Sequence, residues 1–294
     1  MLRLSGFFVA LFSASVLSAQ PQPSQQSGPA YEQKEVRVLV QLVQDASDEL
    51  ATRGEVSFAD FGQRGGRWYQ EDRYVVVFDT DMIRVVYPPV PARAGESCLE
   101  FTDADGRPYY RWMKEISDKG QGASGWVHYR QEKTPPAKEW RSSFLRRTRA
   151  PSGKEYVVAA GLSGLKAEKK FVQDMVEAAR ALIEDAGEAA FELIRDKNGK
   201  FVYRDSYVVV LSADGVCLVQ PEFPDMEGEK LSTHRDPKGN LDVLSVINLA
   251  RRGGGWRYAW MPRSGGRTPR RRFMYILPAS HAGTAYVVGA VLPG

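Results

Sequence analysis

Apolar residues recur at helical spacing twice along the chain, first at Val36, Leu39, Val40, Val43, Ala46 and Leu50, then at Val172, Met175, Val176, Ala179, Leu182 and Ile183. Steps of three and four residues put each set on one face of an amphipathic helix. Gly54 and Gly187 stop the two helices, as a residue tolerant of left-handed backbone does at a C-terminus. A shorter helix around Phe58 or Phe191 follows. Next come runs rich in β-branched residues, Tyr74 to Phe78 and Met82 to Val86 in one half, Tyr207 to Leu211 and Val216 to Val219 in the other. Each pair reads as two strands. Ser-Ala-Asp-Gly at 212–215 is hairpin chemistry, and its counterpart at 79–82 has Met in place of Gly. A further helical stretch then reaches Gly120 or Gly253. Three strand patterns close each half, near Trp126–Arg130, Phe144–Thr148 and Tyr156–Gly161, and near Trp256–Trp260, Phe273–Leu277 and Tyr286–Leu292.

The two halves are copies. Shifted by 133 positions, residues 51–96 align with residues 184–229 without a gap and agree at 15 of 46 positions, where about three agreements are expected from composition. Each copy reads as helix, short helix, two strands, helix, three strands. Hairpin-sized connections make each sheet antiparallel with helices on a face, an α+β layered architecture.

Composition adds the boundaries. Residues 1–19 combine one Arg, an apolar run from Gly6 to Leu17 and small residues ending at Ala19, the pattern of a secretory signal peptide cut after Ala19. Residues 20–30, QPQPSQQSGPA, carry no charge and almost nothing apolar, so they read as a disordered tether. Residues 31–162 and 163–294 are then the two repeat domains, and the expected compartment is periplasmic or secreted. A net charge of +4, falling to +3 without Arg3, implies no particular partner. Cys98 and Cys217 are expected as buried free thiols, although sequence alone leaves a bridge open.

The order of motifs resembles the Cache family of extracellular sensor domains, of the single-Cache, PAS-like type. It rests on the long leading helix, the aromatic before Y-V-V-V, the D-x-x-G hairpin, and P-x-x-P with Gly four residues on. A later D-x-x-G (Asp103–Gly106, Asp236–Gly239), a Gly-rich turn before an aromatic strand and a closing Y-V-V complete it. The resemblance covers both copies and implies two tandem PAS-like domains, each enclosing a pocket for a small organic acid, amino acid or amine. Relatives are the outer parts of membrane receptors, which implies a membrane-receptor partner here. Where the family often has His before the first Pro of P-x-x-P, this chain has Tyr87 and Gln220, so the ligand cannot be carried over.

Aromatic side chains with one polar atom suit the wall of such a pocket. Candidates are Trp68, Tyr74 and Tyr129 in the first copy, and Tyr207, Trp256, Tyr258 and Trp260 in the second. Arg111, Arg130, Arg141 and Arg257 are candidate donor forks for an anion. The richer aromatic strand makes the second copy the expected binder. Residues 251–272 hold eight arginines and no acid, and with Lys133–Arg149 they read as solvated hairpin loops, a polyanion surface being the other reading. Three histidines without ligand spacing argue against a metal site, and no cofactor is implied. Gly120, Gly122 and Gly125 form G-x-G-x-x-G after a helix, not a strand, and Ser163 makes no nucleophile elbow. The chain is therefore expected to be an exported small-molecule-binding protein and not an enzyme. The alternative is a structural or polyanion-binding envelope protein.

Overall fold

The computed structural model describes residues 31–133, 137–263 and 266–293, so the expected signal peptide and tether lie outside the described residues. In the first half, α1 (Lys34–Arg53) and α2 (Ser57–Gly62) precede β1 (Tyr69–Gln70), β2 (Arg73–Asp79) and β3 (Arg84–Val86). Then come α3 (Tyr109–Ser117), β4 (Ser124–Glu132), β5 (Lys138–Arg149) and β6 (Glu155–Ser163). The second half repeats the order with α4 (Lys169–Ala186), α5 (Phe191–Arg195), β7 (Val202–Tyr203), β8 (Ser206–Tyr207), β9 (Val209–Ser212) and β10 (Cys217–Val219). It closes with α6 (Asp242–Arg251), β11 (Gly255–Arg263), β12 (Gly266–His281) and β13 (Thr284–Val291).

The antiparallel α+β architecture read from the sequence is the one observed. The first sheet runs β1-β2-β6-β5-β4 with β3 also on β2, and the second runs β10-β9-β13-β12-β11. These are the same path, because β7 and β8 form the small hairpin that β1 and the start of β2 form in the first half. The tight hairpin at Gly215, φ +91, has Met82 at φ +59 in its place. Met82 is fully buried. Its packing offsets a left-handed conformation that costs a non-glycine residue about 1 kcal/mol or more.

Alternation along each strand divides the core in two. On one face of the first sheet, Val75, Val77, Phe144 and Val158 meet Val36, Leu39, Val43 and Leu50 of α1. On the other, Phe78, Leu145, Val157 and Ala159 meet Tyr110 and Met113 of α3. The second half does likewise, with α4 on one face and α6 on the other. Cys98 and Cys217 are buried and free, in separate clusters.

The basic stretches differ from the expectation of solvated loops, because most of each is strand. Within β5, Arg141 is buried, while Arg147 and Arg149 both bind Glu155. The tip residues 134–136 and 264–265 lie outside the described residues.

The halves share a buried seam. Glu168, 1 % exposed, accepts the N–H groups of Glu32 (2.9 Å) and Gln33 (2.6 Å), so a carboxylate from the second half sits at the positive start of α1. Phe171 lies 4.8 Å from the Trp126 ring, and Tyr203 stacks on His128 at 4.1 Å and edges onto Trp140 at 5.2 Å. At the rim Lys200 pairs with Glu115 of α3.

Desolvation, with Arg204 as a lesser cause, pushes the His128 imidazole down to about 3. The unfolded chain therefore binds a proton between pH 6.5 and 3 that the folded chain refuses. The stability His128 contributes is complete above pH 6.5 and is lost as the pH falls toward 3. His128→Phe, which keeps the stacked position, is expected to narrow the gap between melting temperatures at pH 7 and pH 4.5. An unchanged gap would show that His128 does not titrate against folding.

Candidate functional site

The face of the first sheet beneath α3 is not completely filled. A cavity of about 400 Å³ opens there, between β2, β4, β5 and β6 on one side and α3 with residues 102–104 on the other. Its floor is made of small residues, Ala159, Ala160, Gly161 and Ser143, and its walls are largely phenolic, with Tyr74, Tyr87, Tyr109, Tyr110 and Tyr129. The volume falls within the range of roughly 300–1,000 Å³ usual for small-ligand sites.

Local sequence explains how the walls are held. Asp103, first residue of the later D-x-x-G, accepts the N–H groups of Asp105 (2.8 Å) and Arg107 (2.9 Å) through one oxygen. Its other oxygen accepts the Arg130 N–H at 2.6 Å, which fastens the covering loop to β4. Tyr109 stacks on Tyr129 at 4.0 Å with rings 14° apart, and Tyr129 Oη lies 3.2 Å from Ser143 Oγ. Burial raises Tyr74 and Tyr110 to about 12 each, and raises Tyr109 as well. The phenols therefore stay neutral and offer hydroxyl groups rather than charge.

Arg141 supplies the charge. It is 8 % exposed, it lines the cavity opposite Tyr129 in the β4–β5 register, and its guanidinium carbon lies 5.7 Å from the Tyr74 ring centre. Nη2 donates to the Gly161 carbonyl at 2.6 Å, and Nη1 lies 3.5 Å from Ser163 Oγ. Among the described residues no carboxylate pairs with it, whereas buried Arg84 holds Glu96 at 2.7 Å. A buried cation without a counter-charge is costly. Asp103 does not supply one, because it accepts three backbone N–H groups and its ion-pair partner is Arg107 at 4.0 Å, and Glu132 stands exposed at the edge of the cavity.

Gly161 is what leaves the room. A Cβ there would lie 2.2 Å from Ser143 Oγ and 3.1 Å from Arg141 Nε, so any side chain would displace the polar group of the floor. The strand register makes Val291 the equivalent residue in the second half and Met274 the equivalent of Ser143. Both are buried, Met274 Cε lies 2.5 Å from where a Cβ on Gly289 would stand, and Val209, Leu211, Ile276 and Val246 close the remaining space. Tyr207 Oη and Gln220 Oε1, counterparts of Tyr74 and Tyr87, are buried there without a hydrogen-bond partner among the described residues.

The structure brings four of the residues proposed from sequence together: Tyr74, Tyr129, Arg130 and Arg141 line the cavity. Arg130 does so beside its own backbone, its guanidinium carbon being 5.5 Å from the Trp140 ring and its Nε 3.9 Å from Asp105. Trp68 lies in the core beneath α1, edge-on to Phe61, and Arg111 is an exposed partner of Glu100. Tyr207 is in the filled face of the second half, and Arg257 pairs with Asp242 at 2.6 Å. Trp256 stacks on Phe273 at 4.8 Å on the α4 face, with Tyr258 exposed and Trp260 half-buried along the same strand. Ser143, Tyr109, Tyr110 and Gly161 were not singled out. The two-residue step from Arg141 to Ser143, opposite Tyr129, was the available signal.

Residues 165–290 match the family described as single Cache domain 2. Over these residues the chain is similar to a single Cache domain. Solved structures that resemble the chain include a periplasmic sensor domain of a chemotaxis protein, 26 % identical over 42 % of this chain and 92 % of that one, TM-score 0.36. Another is a methyl-accepting chemotaxis protein from Vibrio parahaemolyticus, 17 % identical over 42 % of this chain and 87 % of that one, TM-score 0.37. A third is a Cache chemosensory domain described by its carboxylic acid recognition, 17 % identical over 45 % of this chain and 94 % of that one, TM-score 0.36. A comparison with curated protein sequences found no match. Cache domains are sensory ligand-binding modules, and no described helix of this chain is long and apolar enough to cross a membrane. The cavity described above lies outside the matched residues, in the other half, which has the same strand path.

Replacing an unpaired buried cation by an apolar chain of similar length is often neutral or stabilising. Arg141→Met is therefore expected to melt at or above the wild-type temperature, while Arg84→Met, which removes a buried partner of both Glu96 and Tyr110, melts lower. Equal losses in both variants would mean that Arg141 is a structural residue.

Proposed function

We propose that the chain is an exported sensor-type protein of two tandem Cache domains, residues 31–162 and 163–294, and that the first binds a small organic acid. One observation carries this reading: Arg141 is buried in the wall of a cavity without a counter-charge. A carboxylate placed on its guanidinium would supply an anion through charge-assisted hydrogen bonds, and the hydroxyl groups of Tyr74, Tyr129 and Ser143 would orient the rest of the molecule. Amino acids and amines fit less well, because the buried carboxylate at hand, Asp103, already accepts three backbone N–H groups and faces Arg107 at 4.0 Å. In this reading the second domain keeps the scaffold and has exchanged its pocket for apolar packing. The periplasmic or secreted compartment follows from the signal-like first 19 residues, and a membrane receptor would be the partner to which binding is reported. Neither a cofactor nor catalysis is part of the proposal.

The test is a thermal-shift panel on ligand-free protein with small monocarboxylates, dicarboxylates, amino acids and amines. A ligand at 100 times its dissociation constant stabilises the folded state by about 2.7 kcal/mol. A chain of this size then melts several degrees higher. One or more acids should give that shift in the wild type and none in Arg141→Met or Gly161→Val. A shift surviving in both variants, or no shift with any acid, would overturn the assignment.

A further inference from the structure

The outer part of the β11–β12 face has an internal counterpart that shows what such a surface does in this fold. The register aligns Trp256, Tyr258 and Phe273 of the second sheet with Trp126, His128 and Ser142 of the first, and Arg271 with Trp140. In the first half this stretch is covered by Phe171 and Tyr203, which reach across from the second half. In the second half α4 covers Trp256 and Tyr275, but Tyr258 remains 51 % exposed, Arg271 is exposed, and Trp260 and Phe273 are half-buried. Arg271 lies 4.3 Å over the Tyr258 ring, and among the described residues no carboxylate pairs with it. The surface is continuous with the seam between the halves, since Lys169 binds Glu32 at 2.6 Å and approaches the Phe273 ring at 5.9 Å.

We infer that this face, centred on Tyr258, Phe273 and Arg271, is a docking surface for a protein segment carrying an aromatic side chain flanked by carboxylates. The aromatic ladder supplies area for an aromatic group, as His128 does for Tyr203, and the unpaired guanidinium selects an acidic neighbour. A polyanion would use the charge and leave the rings unused, so a protein segment is the better fit. The inference is independent of the ligand reading, since the surface lies on the opposite face of the other sheet.

The probe is a soluble glutamate–tyrosine copolymer, titrated into the full chain and read by tryptophan emission, with polyglutamate and heparin in parallel. The expected result is binding of the copolymer that is at least roughly tenfold tighter than that of polyglutamate, lost by a similar factor in Tyr258→Ser and in Arg271→Ser. Both variants should keep the wild-type melting temperature, because both side chains are exposed. Equal binding of heparin or polyglutamate would make the face a polyanion site and overturn the inference. So would absence of binding, binding unchanged in both variants, or a self-association that Tyr258→Ser abolishes.

Discussion

A β-sheet covered on both faces must have its inner surfaces filled, by side chains or by something else, because empty space forfeits dispersion contacts on every wall. This constraint separates the two halves of the protein. They share a strand path, yet the face beneath the second helix is floored by Ser143 and Gly161 in one half and by Met274 and Val291 in the other. The larger pair belongs to a cluster of buried apolar side chains. The smaller pair leaves about 400 Å³ and places a buried guanidinium on its wall. Charge and volume thus both support the proposed acid site in the first half.

The opposite faces carry the assembly. The leading helix is too short to cover the whole sheet, and in the first half the remainder is covered by Phe171 and Tyr203. A carboxylate at the start of α1 and the Lys200–Glu115 pair at the end of α3 complete the seam. Because α3 also roofs the cavity, the second half touches the element that a ligand would meet. The scaffold without a pocket is in this way part of the first half's structure.

Much of the fold was legible in the sequence. Helical spacing at Val36–Leu50 and Val172–Ile183 marks helices that bury one face, and the continuous β-branched runs at Tyr74–Phe78 and Tyr207–Leu211 mark strands covered on both. The repeat supplied a second reading of every element. The basic stretches misled because Arg141, Arg147 and Arg149 look solvated in a linear chain, while Glu155 and the cavity are long-range features. The site was half legible. Tyr74, Tyr129 and Arg141 lie on recognisable strands, but Gly161 matters only because Ser143 and Arg141 approach it across the sheet. The richer aromatic content of the second copy was the sequence signal for binding there, whereas the site proposed in the first half rests on free volume rather than ring count.

The most direct measurement is a crystal structure of the protein grown in saturating propionate or lactate. The account predicts a carboxylate within hydrogen-bond distance of the Arg141 guanidinium inside the first sheet's cavity, with Met274 and Val291 in contact in the second half. A collapsed first cavity with Arg141 paired to a protein carboxylate, or acid bound only in the second half, would contradict it.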